Sequence, residues 1–339
     1  MIKIISFCFT FLFFLSAEIS AATIEDGIIQ FNQRNYQQAK TIFKSLAEQG
    51  NSRATFWLGI AQFKTGKQFD AGGTLLKAAE EGNPWAMRLM VPSQNGYCDY
   101  LGWDCDEAWM DKAISSWEKL AEKGDGKAIY ALLRYRKKSW WSNISLLSDD
   151  EKNRFKLIKK AVYAGGFKAA SYNQFRGMHN IEEQLELLQY EIDKGYAPAM
   201  VDLYLIAKEN NFEVNASESL LMRALKLGYS GGAFSLYYSA NDKLPEISTV
   251  DDVVNISDKD KLLFKDAYFY ALIAKYFGKE HAEMTIKYWV SKKNGDSVYL
   301  NVLSNKEMNN ISKKVERFLS VIKINDFNDD STVGGYVAN

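Results

Sequence analysis

A glycine followed four residues later by alanine recurs along the chain at Gly50/Ala54, Gly82/Ala86, Gly124/Ala128, Gly165/Ala169 and Gly195/Ala199. A sixth copy begins at Gly228, with Gly232 in the alanine position. The steps between leading glycines are 32, 42, 41, 30 and 33 residues. A period of this length is that of stacked helix pairs, none of which buries its apolar face alone. It predicts an all-α solenoid of about seven to eight helix hairpins.

The register around each glycine supports that reading. Seven residues before it stand Phe43, Leu75, Trp117, Ile158, Leu188 and Leu221. Three before stand Ala47, Ala79, Ala121, Val162, Ile192 and Leu225. Four before stand Leu46, Ala78, Leu120, Ala161, Glu191 and Ala224, where Glu191 is the one polar exception. Offsets of three and four lie on one helical face, so each segment is an amphipathic helix. The glycine suits the left-handed residue that follows a helix end. Four residues past the alanine come Leu58, Met90, Leu132, Asn173, Leu203 and Leu236, the stripe of the next helix, broken at Asn173. Longer connectors are expected at 91–107, 138–147 and 241–258. Recognisable units cover 24–240, and segments 280–292 and 306–322 read as a capping helix pair within 258–324. The polar, glycine-containing tail 325–339 reads as disordered.

Residues 1–22 read as a signal peptide: Lys3, an apolar run from Ile4 to Leu15, and small residues at Ser20, Ala21 and Ala22. The run is shorter than the roughly 20 residues of a spanning helix. The residues leave open whether this leader is cleaved or kept as an anchor. The expected product is exported, soluble and periplasmic. With 42 basic and 42 acidic residues the chain has no net field with which to gather nucleic acid. Outside the leader, Cys98 and Cys105 are an even pair, and an oxidising compartment favours a disulfide between them.

The second unit carries Ala54, Leu58 and Gly59, then Phe63 and Gly66, then Ala78, Ala79 and Gly82. These resemble the Ala-x-x-x-Leu-Gly, aromatic-x-x-Gly and Ala-Ala-x-x-Gly signatures of the Sel-one-like repeat, a relative of the tetratricopeptide repeat. Residues 117–124 are similar to the end of that repeat, and the likeness covers about residues 24–232. The resemblance implies a right-handed superhelix whose concave face is lined by the first helix of each pair and binds proteins. Exported members include immunity proteins against antibacterial phospholipase effectors, and also envelope adaptors in secretion or cell-wall complexes.

On the first helices, Arg53, Trp57, Arg88, Arg134, Arg136, Tyr172, Arg176, Tyr204 and Tyr237 are candidate partner-binding residues, because aromatic and arginine side chains make favoured anchors. Gly228, Ser230 and Gly232 fit the Gly-x-Ser-x-Gly pattern of an esterase. That elbow requires a preceding strand, and the register here requires a helix. His179 and His281 are far apart in sequence, and no metal-ligand spacing or phosphate loop is present. The sequence therefore points to a protein-binding chain with no cofactor and no chemistry, with a hydrolase as the weakest alternative.

Overall fold

A computed structural model describes residues 22–136, 151–174, 181–210, 218–292 and 296–333. Residues 1–21 of the expected signal peptide 1–22, the connector expected at 138–147, Arg176 and His179 lie outside the described residues, as does the side chain of Tyr172. Among the described residues are 17 α-helices and one two-stranded sheet. In chain order the helices begin α1 (Ile24–Asn32), α2 (Tyr36–Glu48), α3 (Ser52–Lys64), α4 (Gln68–Glu80), α5 (Pro84–Leu89) and α6 (Tyr97–Leu101). They continue with α7 (Trp109–Glu122), α8 (Gly126–Tyr135), α9 (Glu151–Tyr163), α10 (Lys168–Gln174), α11 (Ile181–Asp193) and α12 (Ala197–Glu209). The last are α13 (Glu218–Lys226), α14 (Ser230–Asn241), α15 (Val250–Val254), α16 (Asp258–Tyr276) and α17 (Asn305–Leu319). Consecutive helices pack as antiparallel hairpins stacked into an all-α superhelix.

One turn, used six times, joins the units. Each leading glycine has a φ between +81° and +92°. Its N–H donates to the carbonyl three residues back, and the next N–H donates to the carbonyl four residues before the glycine. Gly82 to Ala79 at 3.0 Å and Asn83 to Ala78 at 2.9 Å are one such pair. These bonds satisfy carbonyls that every helix end leaves open. After the glycine, Asn51, Asn83 and Asp125 cap the next helix by accepting from the N–H of Ala54, Ala86 and Ala128. The recurrent alanine is thus the second or third residue of a helix and, at 0% exposure in all five copies, a point of close helix contact.

The predicted stripe is the core. All six residues at the seven-back position are completely buried. Two large apolar clusters result, one over 31–132 and one over 129–322, meeting at α8. The connector at 91–107 is ordered around the Cys98–Cys105 disulfide, with Cα atoms 5.8 Å apart. Asn95 donates to the Leu89 carbonyl at 2.7 Å, and Trp103 Nε1 donates to the Gln68 carbonyl at 3.1 Å. Trp103 also lies over Gly72, where a Cβ would come within 2.4 Å of its ring.

Two expectations for the C-terminal part are corrected. Segment 280–292 is not a capping helix. It is a 3₁₀ turn, Ala282–Ile286, followed by strand β1 (Lys287–Ser291), which pairs antiparallel with β2 (Ser297–Asn301). Aromatic and β-branched residues fill both strands, as pleated pairing favours, and Asn294-Gly295 between them is a hairpin turn signal. The second member of the expected pair is helical, as α17. The tail is not disordered from Asn325: residues 325–333 are folded onto the helical repeats, and 334–339 lie outside the described residues.

Candidate binding groove

Nine residues, 325–333, can span at most about 30 Å. Yet they touch side chains or backbone from Asn32 in α1 to Tyr229 at the start of α14. Helices so far apart in sequence can share so short a partner only if their ends converge on one channel. Arg34 marks that convergence: its Nη1 donates to the Phe277 carbonyl at 3.1 Å, joining the first hairpin to the end of α16.

The contacts run in order along the channel. Asn325 N–H donates to the Gly228 carbonyl at 2.9 Å, and Asp326 N–H to the Asn32 carbonyl at 3.0 Å. Gly228 is required here twice over. Its φ is +85°, and a Cβ would lie 1.9 Å from the Lys323 carbonyl oxygen. The Asp326 carboxylate takes two bonds from the Arg34 guanidinium, at 3.0 and 2.9 Å. Phe327 stands edge-on to Tyr196 and Tyr229, with ring centroids 6.0 and 5.9 Å away. These two tyrosines occupy the turn position where earlier units carry Asn or Asp caps.

Asn328 follows in a reciprocal amide pair with Asn32. The Asn32 Nδ2 donates to the Asn328 carbonyl at 2.9 Å, and the Asn328 N–H donates to Asn32 Oδ1 at 2.8 Å. The Asp329 carboxylate turns the chain by accepting from the N–H of Ser331 and Thr332, and lies 3.6 Å from Lys127. Val333 is completely buried within the N-terminal apolar cluster.

Asp330 is the most enclosed contact. Arg53 Nε donates to both of its oxygens, Trp57 Nε1 donates to Oδ1 at 2.7 Å, and Lys127 lies 3.4 Å from Oδ2. Burial pushes this carboxyl up, but Lys127, Arg53 and Trp57 outweigh it and hold the group below its ordinary 3.8. Burial likewise opposes the charge on Arg53, and its bonds to Asp330 and Glu25 raise it nonetheless. Burial lowers Lys64, whose charge is supported by Asp326. Arg34, Arg53, Lys64 and Lys127 thus face a segment carrying three carboxylates. Arg53 and Lys127 each occupy the first turn of a helix, where the helix dipole adds to their attraction for anions.

Of the sequence-derived candidates among the described residues, only Arg53 and Trp57 meet in this channel. Trp57 is wholly buried and presents its ring edge rather than a surface. Arg88 is buried, and with Arg134 it lies over the Tyr135 ring, at 5.3 and 5.2 Å. Arg136 pairs with Glu118, and the buried Tyr204 hydroxyl lies 3.5 Å from Ser239 Oγ. Tyr237 lines a separate open cleft of about 420 Å³ with Asn241, Leu244 and Tyr288. Sequence reasoning missed Asn32, Arg34, Lys127, Tyr196 and Tyr229. For the tyrosines, a signal was available in the change of residue type after the glycine. Ser230 opens α14 directly after helix α13, so the strand that a nucleophile elbow needs is absent there.

Among the described residues no helix is long and apolar enough to cross a membrane, and no cluster of His, Cys, Asp or Glu could hold a metal ion. No family model matches the chain, and no curated protein matches it. Among solved structures it is similar to a Sel1 repeat protein from Oxalobacter formigenes, at 16% identity and a TM-score of 0.40, covering 75% of this chain and 100% of that one. It is also similar to a protective antigen of uropathogenic Escherichia coli displaying an SLR fold, at 14% identity and a TM-score of 0.35, covering 89% of this chain and 69% of the other.

Proposed function

We propose that the chain is an exported, non-enzymatic protein-binding scaffold acting in the periplasm. The observation that carries this reading is the channel itself, which holds nine residues of polypeptide through backbone amides, a paired carboxylate and an aromatic cradle. A groove built to satisfy peptide groups lowers the cost of engaging polypeptide, because its own side chains are already ordered.

Within that class the favoured role is an immunity protein that neutralises a secreted antibacterial effector of phospholipase type by covering it. Support comes from the resemblance of residues 24–232 to Sel-one-like repeats and from the signal-like leader. An effector would be engaged by a preformed surface, with no reaction performed on it. The test is co-purification from producing cells, joined to survival of a strain lacking the gene when mixed with effector-bearing siblings. Protection that depends on this gene, with the effector recovered in complex, supports the role. Full resistance of the deletion strain with no effector recovered ends it.

A further inference from the structure

The tail is a template for what the channel accepts. Asn32 reads backbone only, through a donor and an acceptor aimed at one residue's N–H and C=O. Two neighbouring subsites read side chains. Tyr196 and Tyr229 bracket an aromatic ring, and three positions later Arg53, Lys127 and the Trp57 N–H enclose a carboxylate. A third subsite, formed by Arg34, takes another carboxylate just before the ring.

Two features make the resident segment exchangeable. Phe327 is held at φ +54°, a left-handed conformation that costs a non-glycine residue about 1–2 kcal/mol. The tail, moreover, supplies only a small share of the apolar cores. The helix stripes make up most of both clusters, to which the tail adds Val333 in the N-terminal one and Phe327 packed against the C-terminal one. The tail leaves α17 at Leu319, so release of 325–333 breaks no helix hairpin.

We infer that the channel is an exchange site. An acidic segment of a partner protein, with an aromatic residue three positions before a carboxylate, displaces residues 325–333 and takes the Arg53–Lys127–Trp57 pocket. This rests on the protein-binding reading above and names the partner's chemistry. The tethered tail competes at an effective concentration of about 1 mM. With ~10 μM intrinsic affinity for the tail itself, any incoming segment therefore binds the intact chain about 100-fold more weakly than an open channel.

The test uses the full mature chain and a labelled peptide of residues 322–333. A full-length variant with its own tail weakened, Phe327→Ala with Asp330→Asn, should bind the peptide at least about 30-fold more tightly than the unaltered chain. A peptide carrying Asp330→Asn should lose about tenfold or more in affinity. On the unaltered chain, excess peptide should speed hydrogen exchange at the amides of Asn325, Asp326 and Asn328 while leaving the helices protected. The inference is overturned if the weakened variant, with an unchanged circular dichroism spectrum, binds no peptide. It also fails if tail amides exchange only together with the helices, and this second arm decides alone should the variant not fold. A dimer that exchanges tails and is dissociated by peptide would make the occupant a second copy, overturning the heterologous partner. An effector bound while the tail stays protected would end this inference and leave the scaffold reading standing.

Discussion

Two carboxyl groups sit deep in this molecule at nearly the same depth: Glu191 is 0% exposed and Asp330 is 7% exposed. Asp330 is surrounded by Arg53, Lys127 and the Trp57 N–H and stays charged. Glu191 lies in the apolar stripe of α11, and neither of its carboxylate oxygens has a hydrogen-bond partner among the described residues. Burial, reinforced by the neighbouring charge of Asp202 and only partly relieved by Lys168, raises Glu191 to about 9. Burial also raises Asp202, against a hydrogen bond from Ser171. Depth therefore does not set charge. Partners do, and the region with partners is the one able to recognise a charged ligand, while the region without them keeps its acid neutral.

The two regions should answer pH with opposite signs. Asp330 titrates below 3.8 in the folded chain. Its contribution is complete above that value and is lost as pH falls through the folded one. Glu191 is raised from 4.5, so its contribution is complete below 4.5 and is lost as pH rises toward about 9. The largest single effect is expected from Asp330→Ala, which leaves Arg53 and Lys127 facing each other around an empty pocket. A loss of about 3 kcal/mol at pH 7 is expected, the low end for a broken buried pair because both cations keep part of their surface in water. Urea unfolding measures it, and the difference from the unaltered chain should shrink as pH falls below 3.8 and through the lower folded value. A difference that persists unchanged in acid would show that the charge of Asp330 is irrelevant to holding the tail.

How much of this contrast could be read from the sequence depends on whether the determinant is local. Glu191 interrupts an otherwise apolar position of the repeat, so its burial was legible from register alone. The same register located all six fully buried residues at the seven-back position, and the cysteine pair was legible from its even count. The channel was not. Residues 325–333 are polar, and a polar segment reads as disordered because it buries little apolar surface. Here fixed partners on α1, α3, α8 and α14 supply what apolar burial would otherwise supply, and no local pattern brings those helices together. Arg53 and Trp57 were identified as lining residues by their place on a first helix. Arg88 and Tyr204 share that place, yet their side chains turn inward. The sheet was missed for another reason: a helical register was extended past Gly278, although β-branched and aromatic residues around Asn294-Gly295 indicated a hairpin.

Glu191→Met should act in the opposite direction to Asp330→Ala. A flexible apolar side chain of similar length fills the stripe without a group that must stay protonated. Stabilisation of about 2 kcal/mol at pH 8 is expected. The gain should widen from pH 4.5 toward 9, because the unfolded chain ionises there and the folded one does not. Denaturation midpoints at pH 5, 7 and 8.5 would show it. A constant or negative difference would mean that Glu191 is ionised in the fold and the contrast with Asp330 is false.

Reduction of the Cys98–Cys105 bond provides a control outside both regions. The closed loop is short, and the bonds from Asn95 and Trp103 hold the same connector independently. A cost of about 1–2 kcal/mol is expected, with neither acid's titration moved. Thermal melts with and without reductant give the cost. Faster exchange of the tail amides on reduction would show that the two regions are not independent of this connector.

The smallest effect is also the most discriminating. Lys127 lies 3.4 Å from Asp330 and 3.6 Å from Asp329, yet it retains 27% of its side-chain exposure. Lys127→Met should therefore cost no more than about 1 kcal/mol, the scale of a partly solvated ion pair. Its effect on titration should be larger in proportion, since Lys127 is the foremost of the influences that lower Asp330. With one of two cations removed and burial unchanged, the carboxyl should move up toward its ordinary value, and acid release of the tail should begin at a higher pH. Hydrogen exchange at the Asn328 amide across pH 2.5 to 5 would follow that onset. If the number of facing cations decides the charge state, this variant falls between the doubly paired Asp330 and the unpaired Glu191. If the onset does not move, the two bonds from Arg53 and the one from Trp57 are sufficient, and Lys127 serves Asp329 alone.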